Sequence, residues 1–311
     1  MDNQYLLQLM LAKGIGDVAI KKILHYTHAY EAYSLRRFCE EPRELSSVLS
    51  IKDETIYSVL ECRQQAQKLW DKLQSDGVAL ITELDEEYPN HLKKALRDRN
   101  PPVLFIKGNP DLLSTSSVGF CGSRKVSAKG MKITEQCAEQ FAARGITVVS
   151  GYAAGTDLAA HRSALEHDGS TVFVLAEGIL NCSIKSEVCN LLTPSNHVFV
   201  SQFLPTQTWN VGGAMRRNSV IIGLSSAMIL VESGKSGGTF AAGEESLRLG
   251  MPLFVIDYEK PEVSAVANPY FIEKGGLPIR GKNGVPCLAK VFSAIDGDVE
   301  NGEPEQMSLV I

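Results

Sequence analysis

No two cysteines in this chain have the Cys-x-x-Cys spacing, and the seven present (Cys39, Cys62, Cys121, Cys137, Cys182, Cys189 and Cys287) are scattered. An odd, dispersed set argues against a disulfide framework and a zinc site, so most of these thiols read as small buried apolar residues. Apolar runs stay short of the roughly 18 to 20 residues that span a bilayer. The start, Met1-Asp2-Asn3-Gln4, lacks the basic-then-apolar layout of a signal peptide, so the cytoplasm is the expected address. No Gly-x-x-x-x-Gly-Lys-Ser/Thr pattern occurs, which leaves magnesium-dependent nucleotide hydrolysis unsupported, and no His-Glu-x-x-His or similar metal spacing occurs. Positive charge is also short, with 31 Lys and Arg against 36 Asp and Glu for a net charge of -5. Such a balance counts against nucleic acid only if it is uniform. Here Arg124, Lys125, Lys129, Lys132, Arg216, Arg217 and Lys235 gather near a few loops, while acids collect at residues 83–87 and in the last stretch.

What is present is enough apolar content, 44% of 311 residues, for one substantial core and a smaller satellite. Residues 1–75 read as helical, with Leu6, Leu9, Met10 and then Ile20, Ile23, Leu24 at helical spacing. Between them, Ala12-Lys13-Gly14-Ile15-Gly16-Asp17 resembles the turn of a helix-hairpin-helix motif, whose N–H groups hold a phosphate or serve only packing. From Gly77 the texture changes to short β-rich runs separated by helical stretches: 78–82, 103–106, 118–121, 147–149, 171–175, 197–200, 227–231 and 252–256. This alternation predicts an α/β fold, a mostly parallel sheet with helices on both faces, over residues 76–290. Residues 291–311 read as an acidic flexible tail.

Four loops follow these apolar runs, at the carboxyl ends where parallel sheets collect ligands. Gly122-Ser123-Arg124 offers a tight turn, a hydroxyl and a planar fork for phosphate oxygens, with Lys129 close behind. Ser150-Gly151 through Gly155 to Asp157 opens a helix, and His161 lies one turn after Asp157, placed for a structural pair. Arg216-Arg217-Asn218 reads as the start of the apolar helix from Ser219, where two cations at a positive helix end imply an anion. A pairing of one arginine with Glu232 or Asp157 is the plainer alternative. Lys235-Ser236-Gly237-Gly238-Thr239 opens the next helix with phosphate-accessible N–H groups.

The ordered set resembles the DNA processing protein DprA (Smf) family. It comprises the Gly-Ile-Gly start, Tyr88-Pro89, Pro102 to Gly108, Gly122-Ser123-Arg124, Ser150-Gly151 with Gly155, Asp157 and Ala160-His161, Arg217-Asn218 with residues 221–225, then Glu232 and Ser236-Gly237. The resemblance implies an extended Rossmann-like fold behind a small all-helical domain of SAM or helix-hairpin-helix type. It implies a basic pocket for single-stranded DNA with no cofactor, a RecA-type recombinase as partner, a homodimer, and roles in recombination, natural transformation or DNA defence. Arg124, residues 235–239, Arg217 and Asn218 would line the pocket, with Asp157, His161 and Glu232 supporting it; Phe120, Tyr152, Trp209 and Phe240 are candidates to stack on bases. Three departures mark a divergent member. Residues 176–183 replace the family's Tyr-Pro-x-x-Asn stretch, Ser219 stands where a second arginine is common, and the region after Gly275-Gly276 is short for a winged-helix domain. The final Gln306 to Ile311 is similar to peptides that bind the sliding clamp. The competing reading is a LOG-type nucleotide-binding protein or nucleoside monophosphate phosphoribohydrolase, using Glu244-Glu245; the spacing from Gly237-Gly238-Thr239 is longer than that family's.

Overall fold

Val118 and Phe120 pack into one apolar layer and Cys121 into the other, and Val148 and Val149 divide in the same way. Strands covered on both faces have no polar side to show, which is why these runs are apolar throughout. The computed structural model describes residues 3–282 and 284–297. Helices α1 (Asn3–Leu11), α2 (Asp17–Ala29), α3 (Leu35–Glu40), α4 (Asp53–Glu61) and α5 (Arg63–Ser75) come first. Then follow β1 (Ala79–Thr82), α6 (Asn90–Leu96), β2 (Val103–Gly108), β3 (Ser117–Cys121), α7 (Ala128–Ala142), β4 (Thr147–Ser150), α8 (Thr156–Glu166), β5 (Thr171–Val174), α9 (Ser186–Cys189) and β6 (His197–Ser201). The remainder is α10 (Val211–Gly223), β7 (Ala227–Leu230), α11 (Gly238–Arg248), β8 (Leu253–Ile256), α12 (Asn268–Glu273), β9 (Leu277–Ile279), β10 (Gly281–Lys282), β11 (Val285–Pro286) and α13 (Ala289–Asp296).

Nine strands form one sheet in the order β1-β2-β6-β5-β4-β3-β7-β8-β9. β1 and β2 run antiparallel to their neighbours, and every pairing from β6 to β9 is parallel. From β3 the chain steps outward through β4, β5 and β6, then returns to place β7 on the other flank of β3. The order therefore reverses at β3 and β7, and loops leaving their carboxyl ends diverge around a crevice. One face is covered by residues of α6, α10, α11 and α12. The other meets α7, α8 and α13. The amino-terminal helices share a cluster with Val78, Leu80, Val103 and Phe105, so they pack onto the antiparallel end of the sheet.

The eight expected strands all occur; the separate β10-β11 pair is an addition, and so is β9. Its three residues include Pro278, and it pairs only with β8 at the sheet's edge. The boundary at 291 is corrected, because α13 continues to Asp296 and buries Val291 and Phe292, the latter against Phe141. Residues 298–311, including most of the acidic run and the Gln306 to Ile311 peptide, lie outside the described residues. Cysteine burial is also corrected: Cys39, Cys121 and Cys137 are buried, Cys62 and Cys182 are half-buried, and Cys189 and Cys287 are exposed. Among the described residues, no helix is long and apolar enough to cross a membrane.

Candidate functional site

At the switch point, a cleft of about 490 Å³ is lined by the loop after β3, the loop after β7 and one side of α10. Gly122, Ser123, Arg124, Arg217, Asn218, Ser236, Gly238 and Thr239 meet there, with Asp157 and Glu232 in its walls. The loops are tied to one another. Thr239 donates its hydroxyl to the Gly122 carbonyl at 2.8 Å, and the Thr156 amide donates to the Ser123 carbonyl at 3.2 Å. Asn218 Nδ2 donates to the Gly238 carbonyl at 3.2 Å. Gly155 has φ +80, and a side chain there would strike the Ser123 and Arg124 carbonyls, so glycine is required both by backbone angle and by space. The α11 N-terminus is uncapped by any side chain, which leaves its first amides available to an anion at the cleft.

Arg217 dominates the electrostatics. It is 5% exposed, donates Nη1 to the Val174 carbonyl at 3.1 Å, and its buried Nε has no partner. Burial pushes the guanidinium's pKa down, Asp157 offsets part of that, and Arg124 lowers it further. Burial likewise pushes the Asp157 carboxyl up, with Arg217 opposing. Lys185 is depressed first by burial, and the Arg124 charge adds to this. An anion bound beside Arg124 would offset the charge that depresses Arg217 and Lys185. Arg124 is exposed, with its Cζ 5.6 Å from the centre of the Trp209 ring. Trp209 is 47% exposed and lines the same cleft.

Several expected roles change. Arg216 and Arg217 lie within α10 rather than at its start, because the helix already begins at Val211, where Asn210 caps it with Oδ1 accepting from the Gly213 amide at 2.7 Å. The helix-end argument for an anion is thereby removed. Side by side on a helix, the two arginines diverge: Arg217 points into the cleft, and Arg216 pairs with Asp17 of α2 at 2.8 Å. His161 does not pair with Asp157. Its Nδ1 meets the Thr171 hydroxyl at 2.5 Å, and burial depresses its pKa to about 3. Asp157 instead accepts from the Ala153 amide at 3.3 Å, bracing the loop. Glu232 pairs with neither arginine; it accepts from the Ser127 amide at 2.9 Å and the Ser264 hydroxyl at 2.6 Å, anchoring the start of α7.

Lys129 and Lys235 are exposed outside the cleft lining, Lys129 over the Tyr258 ring. Ser150 is fully buried and donates to the Phe120 carbonyl at 2.8 Å, so it faces the sheet rather than a ligand. Gly237 stands as the N-cap of α11, and Gly151 lines an adjoining hollow. Of the aromatic candidates, Phe120 is fully buried, Tyr152 is packed on Phe173 at 4.7 Å, and Phe240 stacks on Tyr270. Trp209 alone of the four presents a half-exposed ring. Glu244 accepts from the Tyr270 hydroxyl at 3.0 Å and Glu245 pairs with Arg99 at 3.1 Å, so both carboxylates lie away from the cleft. Sequence reasoning misses Glu177 in the lining of the adjoining hollow, although it follows β5 at a carboxyl end where ligands collect.

DNA processing protein DprA of Streptococcus pneumoniae (strain ATCC BAA-255 / R6) is 28% identical over 250 residues, covering 73% of this chain and 86% of that protein. The Bacillus subtilis (strain 168) protein of the same name is 27% identical over 186 residues, covering 58% of this chain and 61% of that protein. The X-ray structure of the S. pneumoniae DprA superposes with a TM-score of 0.72 at 24% identity, covering 90% of this chain and 95% of that chain. A Helicobacter pylori DNA processing protein A structure, concerned with that protein's single-stranded DNA binding mode, gives 0.56 at 20% identity, covering 71% and 94%. These two structures establish the fold. The sequence model of DNA recombination-mediator protein A matches residues 79–280, the whole span that carries the switch-point cleft, and the chain belongs to that family.

Proposed function

We propose that the cleft holds the phosphate backbone of single-stranded DNA without cleaving it, and that the chain protects the strand and assists a RecA-type recombinase to load. Arg217 carries this reading: a buried guanidinium with an unpartnered Nε, facing a groove, is unfavourable until an anion arrives. Arg124 and the uncapped α11 N-terminus extend the anion site, and Trp209 adds a ring face for a base. Family membership and the H. pylori relative's single-stranded DNA binding support a polymer as ligand. The same family reading makes a homodimer and a cytoplasmic address part of the proposal. Capture of a sliding clamp by Gln306 to Ile311 is the further partner, on the pattern of that peptide.

The phosphoribohydrolase reading is not favoured, since Glu244 and Glu245 are engaged away from the cleft. The deciding experiment incubates the protein with nucleoside monophosphates and, separately, titrates single-stranded and duplex DNA. Tight single-strand binding with no free base released is expected. Sustained base release would overturn the proposal.

A further inference from the structure

Beside the cleft lies a second hollow of about 230 Å³, which shares Arg124, Ala153, Trp209 and Arg217 with it. It is smaller than the roughly 300–1,000 Å³ of sites that enclose a drug-sized ligand, so it suits a single ring system. Its walls come from Gly151 to Ala154 after β4 and from Leu175, Ala176 and Glu177 after β5. Glu177 is the one acid in this lining. Its backbone carbonyl accepts from Ser201 Oγ at 2.7 Å, while its carboxylate has no hydrogen-bond partner among the described residues. Burial pushes that carboxyl's pKa up, and Lys185 opposes the shift. The loop is fixed to the one carrying Trp209, because the Gly178 amide donates to the Gln207 carbonyl at 2.8 Å and the Leu180 amide to the Pro205 carbonyl at 3.0 Å.

A carboxylate beside phosphate-binding arginines repels phosphate, so this hollow asks for a hydrogen-bond donor. We infer that it is a nucleobase subsite selecting guanine in a single strand whose phosphates occupy the cleft. Guanine alone presents two adjacent donors, N1–H and the N2 amino group, on its pairing edge, and a carboxylate accepts both. Adenine and cytosine place a ring acceptor beside their amino group, and thymine places its one N–H between two carbonyls. Trp209 supplies the stacking face. The inference rests on the single-stranded DNA reading above.

The test measures affinity for three oligomers of one length: thymine only, alternating thymine and guanine, and alternating thymine and hypoxanthine, which lacks the N2 amino group. The wild type is expected to prefer the guanine oligomer about ten-fold over thymine, with hypoxanthine between them. In Glu177→Gln the thymine oligomer should bind more tightly, a negative charge having left the groove, and the guanine preference should shrink to about two-fold. Equal wild-type affinity for all three, or an undiminished preference in the variant, overturns the guanine subsite and leaves the phosphate cleft standing. Failure of all three to bind overturns both.

Discussion

The Arg217 guanidinium occupies the space that a side chain on Gly151 would need, so a Cβ at 151 would overlap Nη1. A glycine after β4 and an arginine on α10 are thus two halves of one feature. Gly151→Ala is expected to push the guanidinium off its position, weakening single-stranded DNA binding at least ten-fold, about 1.4 kcal/mol. Overpacking of this kind also costs about 1–3 kcal/mol of stability. In an Arg217→Met background the same alanine should cost much less in a denaturant melt, because the clash has gone. Additive effects of the two substitutions would contradict the shared-space account.

Arg217→Met by itself separates binding from folding. The side chain is buried with an orphan Nε and forms no salt bridge among the described residues, so an apolar chain in its place removes the cost of burying an unpaired charge. The thermal midpoint is expected to equal or exceed that of the wild type while DNA affinity falls. A large drop in midpoint would show Arg217 to be a structural residue.

These two residues also show what a sequence conceals. The strands were legible because runs such as Val118 to Cys121 and Ala227 to Leu230 are apolar on both faces and bounded by glycine or turn residues. The place of the Gly122 and Gly238 loops in the cleft lining was legible for the same reason, since each follows a strand at its carboxyl end. The start of α10 was not: Val211-Gly212-Gly213 looks like a loop, and only the Asn210 cap reveals a helix. The approach of Gly151 to Arg217 joins positions far apart in the chain, and no local pattern encodes it. The helix α13 was hidden because Val291 and Phe292 sit next to an acidic, glycine-bearing stretch.

Arg216 provides the contrast with its neighbour. It pairs with Asp17 at 2.8 Å, with side chains 56% and 53% exposed, so the contact spans two elements in solvent. Arg216→Ala is expected to change stability by no more than about 0.5 kcal/mol in a denaturant melt. A larger loss would mean that this bridge holds the amino-terminal helices to the sheet.

Acid sensitivity should have a defined contribution from His161. Its pKa is depressed to about 3 by burial, below the 6.5 of the unfolded chain, so its contribution is fully present above pH 6.5 and is lost as pH falls toward 3. Within that window the slope is about 1.4 kcal/mol per pH unit for one proton. Asp157 acts in the opposite sense, its raised pKa favouring the folded state at low pH. Denaturant melts across the window should show a shallower pH dependence for His161→Gln than for the wild type; parallel curves would contradict the assignment.

Trp209 and Trp70 are the chain's two tryptophans, and Trp70 packs against the amino-terminal helical core. In Trp70→Phe, the remaining fluorescence reports on Trp209 and should be quenched by single-stranded DNA. Trp209→Ala should cost about 1–3 kcal/mol of binding, the worth of one stacked base. Unaltered fluorescence on saturation would remove Trp209 from the interface.

The most direct test of the central claim is the salt dependence of single-stranded DNA affinity for the wild type and Arg124→Ala. Each phosphate contact contributes about 0.7 to the log–log slope for a single strand. The account predicts weaker binding by Arg124→Ala and a slope shallower by about that amount. An identical slope and affinity in the two proteins would contradict a phosphate cleft between β3 and β7.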